Sequence, residues 1–378
     1  MNLVDNPVYC DFLITPNCNF NCSFCSASAD TNIRKPSPMT LSEIEHALVQ
    51  LEQLDVLRLS FEGGEPFLRK DIFDILSIAD RLGFLYYINT NGSLIDDEVA
   101  LKLSKTNVSR ICISIDGPYD YVHDQSRGYP KAFEKVQRAV ASLQKHNVPI
   151  QAIITLTKQN YQYLYATLKT IKEMGIDSAS IMLLAAVGSA NRNQIVPFDE
   201  WSSLLTLLSI DKKNGRLPVK LKIVSTGESN YPWELYLALK EQGQEELLNV
   251  WIKEETIEPF EHNSFGCTSG RTSMAIDSYG NVFGCSLMVS MPELSAGNLL
   301  VDSLQDIWQN SLVFCELRNA SLEQIEGNCE DCEHLYQCKG GCRACAFSMT
   351  GKMLGSDNRC PMKKLTQENN LIGIQRSM

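Results

Sequence analysis

The sequence predicts an α/β protein, a partial (β/α)6 TIM-like barrel followed by a cysteine-rich domain. Three observations carry this. Apolar strand-like runs alternate with helical-period segments six times between residues 8 and 184, the alternation stops near residue 186, and nine of the fourteen cysteines lie from Cys267 onward. Repeated βα units imply a parallel sheet, and six are too few to close an ordinary eight-stranded barrel. The expected organisation is a barrel over 1–186, a mainly helical bridging region over 187–260 and a cysteine-rich domain over 261–378.

The first strand, Val8 to Thr15, runs into the loop TPNCNFNCSFCSA. The first helix follows in MTLSEIEHALVQLEQL, where Leu41, Ile44, Ala47, Leu48, Leu51 and Leu54 recur at helical spacing and Thr40 with Glu43 forms a capping box. Strands are then expected at 56–62, 84–90, 110–115, 148–155 and 178–184, separated by helices at 70–82, 96–105, 131–146 and 162–174. Beyond 186 the pattern reads as mainly helical to about 258, with Pro232 opening one segment.

Composition excludes several classes. The N-terminus lacks the basic and apolar regions of a secretory signal, which predicts a cytoplasmic chain whose cysteines are metal ligands, redox groups or small buried apolar residues rather than disulfides. No stretch approaches the roughly 20 apolar residues of a membrane span. A net charge of −11 argues against nucleic acid or an anionic membrane as partner. The 378 residues, 44% hydrophobic, suffice for a substantial core without staples.

Cys18, Cys22 and Cys25 admit disulfides, a zinc knuckle or an iron–sulfur cluster. They sit on the loop leaving the first strand, at the barrel end where active sites gather. Three thiolates without a fourth neighbour suit a cubane with one open iron, whereas a structural zinc site takes four ligands.

The Cys-x3-Cys-x2-Phe-Cys pattern, with Phe24 before Cys25, resembles the signature of radical S-adenosylmethionine (SAM) enzymes. The resemblance implies that SAM binds the open iron and is cleaved reductively to methionine and a 5′-deoxyadenosyl radical that abstracts hydrogen from a substrate. FEGGEPF, NTNGSL and SIDGPYDYVHDQSRG follow the second, third and fourth strands and resemble the family's SAM-contacting segments. They imply SAM contacts from Phe24, Gly63, Gly64, Glu65, Asn91, Ser114, Asp116 and Arg127, the last in the loop after the fourth strand with its fork on the SAM carboxylate. Paired glycines admit close backbone approach, and a guanidinium matches a carboxylate bidentately.

The C-terminal cysteines are similar to the SPASM extension, which binds auxiliary iron–sulfur clusters. The resemblance implies that Cys267, Cys285 and Cys342 hold a first auxiliary cluster and Cys329, Cys332, Cys338 and Cys360 a second, giving three clusters, one SAM-binding 4Fe-4S and two auxiliary. Some relatives supply a further ligand six residues after the first cysteine, where this chain has Ser273, so the alternatives for the first auxiliary cluster are an open iron, recruitment of Cys345 or a substrate group, or a smaller cluster. Cys345 is also the candidate catalytic thiol. Cys10, Cys112 and Cys315 read as buried small apolar residues. His123 reads as a positioning residue rather than a base.

The resemblance further implies a substrate that is a ribosomally synthesised precursor peptide, to be cross-linked, oxidised or epimerised. The alternatives are a radical SAM oxidase or decarboxylase of a small molecule or tetrapyrrole side chain, and a non-catalytic iron–sulfur or zinc scaffold. Sulfatase-type relatives place an Asp base directly after the cysteine matching Cys285, and Ser286 counts against that activity. A reductase such as flavodoxin or ferredoxin is the implied electron source. With Cys18 the first ligand, leader recognition is expected to use 186–260 or a separate leader-binding protein.

Overall fold

The computed structural model describes residues 6–27, 37–224, 232–252, 265–357 and 359–362. The chain forms two compact units. The first comprises Met1–Ile195, Leu217–Val224 and Thr268–Arg318; the second comprises Val196–Arg216, Ser225–Cys267 and Asn319–Met378.

The first unit is built on one sheet. Its strands are β1 (Tyr9–Thr15), β2 (Arg58–Gly63), β3 (Leu85–Thr90), β4 (Ile111–Ser114), β5 (Ile150–Leu156), β6 (Ser178–Leu183), β7 (Lys220–Val224), β8 (Ser273–Ile276), β9 (Asn281–Phe283) and β10 (Gly297–Asn298), in the order β10-β9-β8-β1-β2-β3-β4-β5-β6-β7. All neighbours from β8 through β7 are parallel, and β9 and β10 add antiparallel rungs at one edge. The six expected strands are present. The sheet is larger than expected at both edges: β7 lies within the stretch read as mainly helical, and β8–β10 come from the cysteine-rich third. The sequence KLKIV is short and two-fifths lysine, because an edge strand has one wet side.

Helices α1 (Leu41–Gln53), α2 (Ile72–Arg81), α3 (Asp97–Leu103), α4 (Asp120–Arg127), α5 (Ala132–Lys145) and α6 (Leu164–Glu173) lie between the strands. Alternation along each strand sorts two faces. One is apolar and buried: Phe12, Leu59, Phe61, Ile88, Ile111, Ile113, Ala152, Ile154 and Ile181. Each large side chain so buried contributes about 1.5–3 kcal/mol. The register places Asp11, Ser60, Glu62, Tyr87, Asn89, Cys112, Ser114, Gln151 and Ser180 on the opposite face. That face is polar, and Glu62, Asn89, Ser114 and Gln151 on it are half-buried.

In the second unit, α7 (Phe198–Lys213) and α8 (Trp233–Glu241) pack together, α8 opening at Pro232 as expected. Trp201 Nε1 donates to the Glu234 carbonyl at 2.7 Å. Among the described residues no helix is long and apolar enough to cross a membrane.

The capping box at α1 is formed: Glu43 N–H donates to Thr40 Oγ1 at 3.3 Å and Thr40 N–H to Glu43 Oε2 at 2.7 Å. Thr40→Ala should therefore cost about 1 kcal/mol, read as a lowered urea midpoint, with Thr40→Ser near wild type.

Candidate active site and cluster-binding cysteines

β1 delivers the three-cysteine loop, and backbone contacts fix its course. Gly64 N–H donates to the Thr15 carbonyl and Glu65 N–H to that of Asn17, both at 2.7 Å. A Cβ on Gly64 would stand 2.0 Å from the Asn17 oxygen, so only glycine permits this approach. Gly128, at φ +58°, presses likewise on Asn21: an added Cβ would lie 2.2 Å from its carbonyl oxygen. Ser189 N–H donates to the Cys25 carbonyl at 2.9 Å. Phe20 stacks on Tyr129 with ring centres 4.5 Å apart, and Gln194 Nε2 donates to Ser23 Oγ at 2.8 Å.

The three thiols are half-buried. Burial pushes the Cys18 thiol up to about 11 and raises Cys22, where the Arg127 cation opposes the shift. Thiols in this state ionise when iron supplies the compensating positive charge. Among the described residues no three His, Cys, Asp or Glu side chains converge on a point that would hold a single metal ion. Three thiols spread along one loop fit the separate iron corners of a cluster better than one tetrahedral zinc.

The predicted SAM contacts fall into two groups. Glu65 is buried and accepts from Thr90 Oγ1 at 2.7 Å, Asn91 N–H at 2.8 Å and Phe67 N–H at 3.3 Å, and burial pushes its carboxyl up to about 7. Asn91 donates to Asn19 Oδ1 at 3.0 Å and accepts from Ser93 N–H at 2.8 Å, which ties the end of β3 to the cysteine loop. Gly63, Gly64, Glu65 and Asn91 therefore form one hydrogen-bonded junction with that loop.

The second group centres on Asp116, just beyond β4 and Ser114. It accepts from Ser126 Oγ at 2.8 Å and Thr155 N–H at 2.9 Å, and lies 2.7 Å from Arg127 Nε. The Arg127 guanidinium sits 5.3 Å from the Phe24 ring centre, and Cys22 Sγ lies 3.6 Å from the Arg127 carbonyl. Arg127 is in the last turn of α4 and not in a loop as expected: Gly117 and Pro118 end the strand, and Gly128 in the left-handed region ends the helix. His123 Nδ1 accepts from Asp116 N–H at 3.1 Å, and burial pushes its pKa down to about 4, so it is neutral at pH 7.

In the second unit Cys329, Cys332, Cys338 and Cys360 line one pocket together with His334 and Asp357. Burial pushes Cys338 up to about 12 and raises Cys329 and Cys360. Asp357 accepts from Cys342 N–H at 3.0 Å and pairs with Arg359 at 2.7 Å. Arg343 is fully buried and donates to the carbonyls of Met353, Gly355 and Gly340. Cys342 is the N-cap of α12 (Arg343–Thr350; α9, α10 and α11 are Leu304–Asn310, Leu312–Asn319 and Leu335–Cys338). The thiol of Cys345 hydrogen-bonds Cys342 and, with the Arg359 cation, pulls it down to about 7. Cys345 is thereby buried against Cys342. Of the first auxiliary trio, Cys285 belongs to the first unit and Cys267 and Cys342 to the second. Ser273, which replaces a possible ligand, starts β8 and bonds Thr268 Oγ1 at 3.0 Å. Cys10 and Cys112 are buried, as expected, while Cys315 is only half-buried.

The sequence reading assigns no role to Asp11 or Glu62. Their signal is a single acid within each strand, on the face opposite the buried Phe12 and Phe61.

Residues 12–184 match the family described as the radical SAM superfamily, and residues 267–333 match the iron-sulfur cluster-binding domain SPASM. The chain is 28% identical to an AdoMet-dependent heme synthase of Methanosarcina barkeri over 348 residues, 92% of this chain and 94% of that protein. It is 26% identical to the mycofactocin maturase MftC of Mycobacterium tuberculosis over 361 residues, 94% of this chain and 83% of that protein. In fold it resembles Streptococcus suis SuiB, solved bound to precursor peptide SuiA, with a TM-score of 0.74, 18% identity and coverage of 94% of this chain and 76% of that one.

Two outcomes follow from the site's packing. Gly64→Ala should displace the cysteine loop, so anaerobically reconstituted protein should carry less iron than wild type; equal iron content would show that the loop does not need the contact. Arg127→Ala should leave Asp116 buried and unpaired, at a cost of about 3–5 kcal/mol. Asp116→Asn in the same chain should restore much of the lost urea midpoint.

Proposed function

This chain belongs to the radical SAM superfamily and carries a SPASM domain, and from that premise we propose that it matures a ribosomally synthesised peptide by cross-linking, oxidising or epimerising it. The observation that carries the peptide reading is the polar face of the sheet. Asn89, Ser114 and Gln151 are half-buried there; Asn89 and Gln151 donate within the face to Ser60, Glu62 and Ser180, while their amide oxygens and the Ser114 hydroxyl are of the kind that pair with peptide amides. The mycofactocin maturase relative supports the same reading.

When bound, SAM and its cluster supply a 5′-deoxyadenosyl radical for hydrogen abstraction. Cys18, Cys22 and Cys25 would hold that cluster. Glu65 and Asn91 would fix the SAM-side walls, with Ser114, Asp116, Arg127 and Phe24 forming the other side. Cys329, Cys332, Cys338 and Cys360 would hold an auxiliary cluster. Three clusters in all, a flavodoxin or ferredoxin as reductase, a leader-binding partner and a cytoplasmic setting complete the proposal.

A second reading is oxidation or decarboxylation of a tetrapyrrole side chain, favoured by the heme synthase relative, which aligns over nearly its whole length. Incubating the reconstituted, reduced enzyme with short peptides encoded beside its gene, and separately with a tetrapyrrole bearing propionate side chains, decides between them. A peptide mass shift that needs SAM supports the first reading. Propionate loss with unchanged peptides replaces it with the second.

Three cubanes predict about twelve irons per chain. Replacing Cys18, Cys22 and Cys25 together with Ala should remove about four of them and abolish 5′-deoxyadenosine release. Release at the wild-type rate from the triple variant would mean that the catalytic cluster lies elsewhere.

A further inference from the structure

The polar face of the sheet carries two carboxyl groups in contact, Asp11 on β1 and Glu62 on β2. Glu62 Oε1 accepts from Ser60 Oγ at 2.5 Å and from Asn89 Nδ2 at 2.6 Å. Asp11 Oδ1 accepts from the Tyr9 hydroxyl, and its Oδ2 accepts from Ser286 N–H at 3.2 Å. The Tyr9 hydroxyl also meets that of Tyr87 at 2.7 Å. The two carboxyls hydrogen-bond each other, and two carboxylates cannot do so without a proton between them. Burial raises both carboxyls; the bonds from Tyr9 and Ser286 oppose the shift at Asp11, whereas the Asp11 charge adds to it at Glu62, so the proton resides on Glu62.

We propose that Asp11 and Glu62 are a proton-sharing pair that serves as the acid–base group of the reaction, receiving the proton that the substrate releases when its radical is oxidised. This rests on the oxidative form of the function proposed above. Hydrogen-atom abstraction leaves a substrate radical. That radical gives one electron to an oxidised iron–sulfur cluster and one proton to half-buried Glu62 as the shared proton passes to buried Asp11, so a carbon–hydrogen bond and a second bond to hydrogen are lost, and both carboxyls end protonated. Release of that proton to solvent resets the pair.

Placement suits the task. Asp11 is four residues before Thr15, where the cysteine loop begins, a span of about 13 Å along an extended strand. A substrate lying across the polar face would thus reach both the cysteine loop and the pair. Glu62 is half-buried and so accessible from that face.

The proton's range is set by the surroundings. Burial, and then the adjoining Asp11 charge, push Glu62 up to about 8. The other titratable groups facing the pair with a shifted pKa do not change charge near neutrality: Tyr9 and Cys10 are raised by burial, Tyr87 is raised to about 12 and Cys112 to about 11. The Arg110 guanidinium lies 4.4 Å from the Tyr87 ring centre.

Infrared spectra of the wild-type holoenzyme over the range about pH 6 to 9 test the shared proton without any variant. A protonated carboxyl band should be present at neutral pH and disappear through about 8. Glu62→Gln should remove it, and Asp11→Asn should shift its loss to lower pH by removing the neighbouring charge. The absence of such a band in wild type, or its persistence in Glu62→Gln, would overturn the pair. The role is read from product formed per 5′-deoxyadenosine with a peptide that the wild type oxidises, because decarboxylation of a propionate releases carbon dioxide and no proton. That ratio should fall at least about tenfold in Asp11→Asn, in line with loss of a general base, and an unchanged ratio would overturn the role. If wild type oxidises no peptide, the proposed function fails, and the infrared titration still decides whether the pair exists.

Discussion

The contact on which the first unit depends is between two stretches of backbone. The turn after β2 lies against the loop after β1, with Gly64 bonded to Thr15 and Glu65 to Asn17. No side chain fits between them. Because the loop carries all three cysteines of the triplet, the position of the thiols is set by main-chain hydrogen bonds from Gly64, Glu65 and Ser189 and by the close approach at Gly128. A cysteine's own side chain has one χ angle before the sulfur, so fixing the backbone nearly fixes the ligand. Residues that look like ligand-contacting motifs are thus also the frame for the metal loop.

The same economy governs the buried charges. Glu65 and Asp116 each receive several donors and follow the ends of β2 and β4, so each fastens a turn as well as facing the site. In the second unit Arg343 and Asp357 do this for the cysteine-bearing segment, gathering carbonyls and amides that lie ten or more residues apart. Buried ions of this kind confer little net stability but penalise every alternative arrangement in which a partner is missing.

Where periodicity carried information, the sequence was readable: the helix over Leu41–Gln53 and its Thr40 cap, the six parallel strands and the cysteine spacings all follow from local pattern. Three features were not legible. KLKIV is absorbed into the stretch read as mainly helical because an edge strand buries only Leu221 deeply. The α4 helix is eight residues with a polar average, and only its burial of Val122, His123 and Arg127 makes it stable. The contact of Asp11 with Glu62 is a tertiary event between strands 40 or more residues apart, and one sequence offers only the oddity of a lone acid in each strand. Which cysteines share a pocket in the second unit was implied by the resemblance to the SPASM extension, whereas the bond between Cys342 and Cys345 was not, since it depends on the turn that opens α12.

β1 lies in the middle of the sheet, paired on one side with β2 and on the other with β8, which begins at Ser273. During synthesis the first strand therefore waits for its second neighbour until nearly three-quarters of these residues have emerged, on the order of 13 to 50 s at about 5–20 residues per second. Until then the strand that leads into the three-cysteine loop has an open edge, available to chaperones and to other chains. Cluster delivery to a nascent chain would meet a loop already braced by β2 but a sheet still incomplete, whereas delivery after release would meet the finished frame. The order of strands thus makes the timing of metal insertion a matter of translation as well as of chemistry.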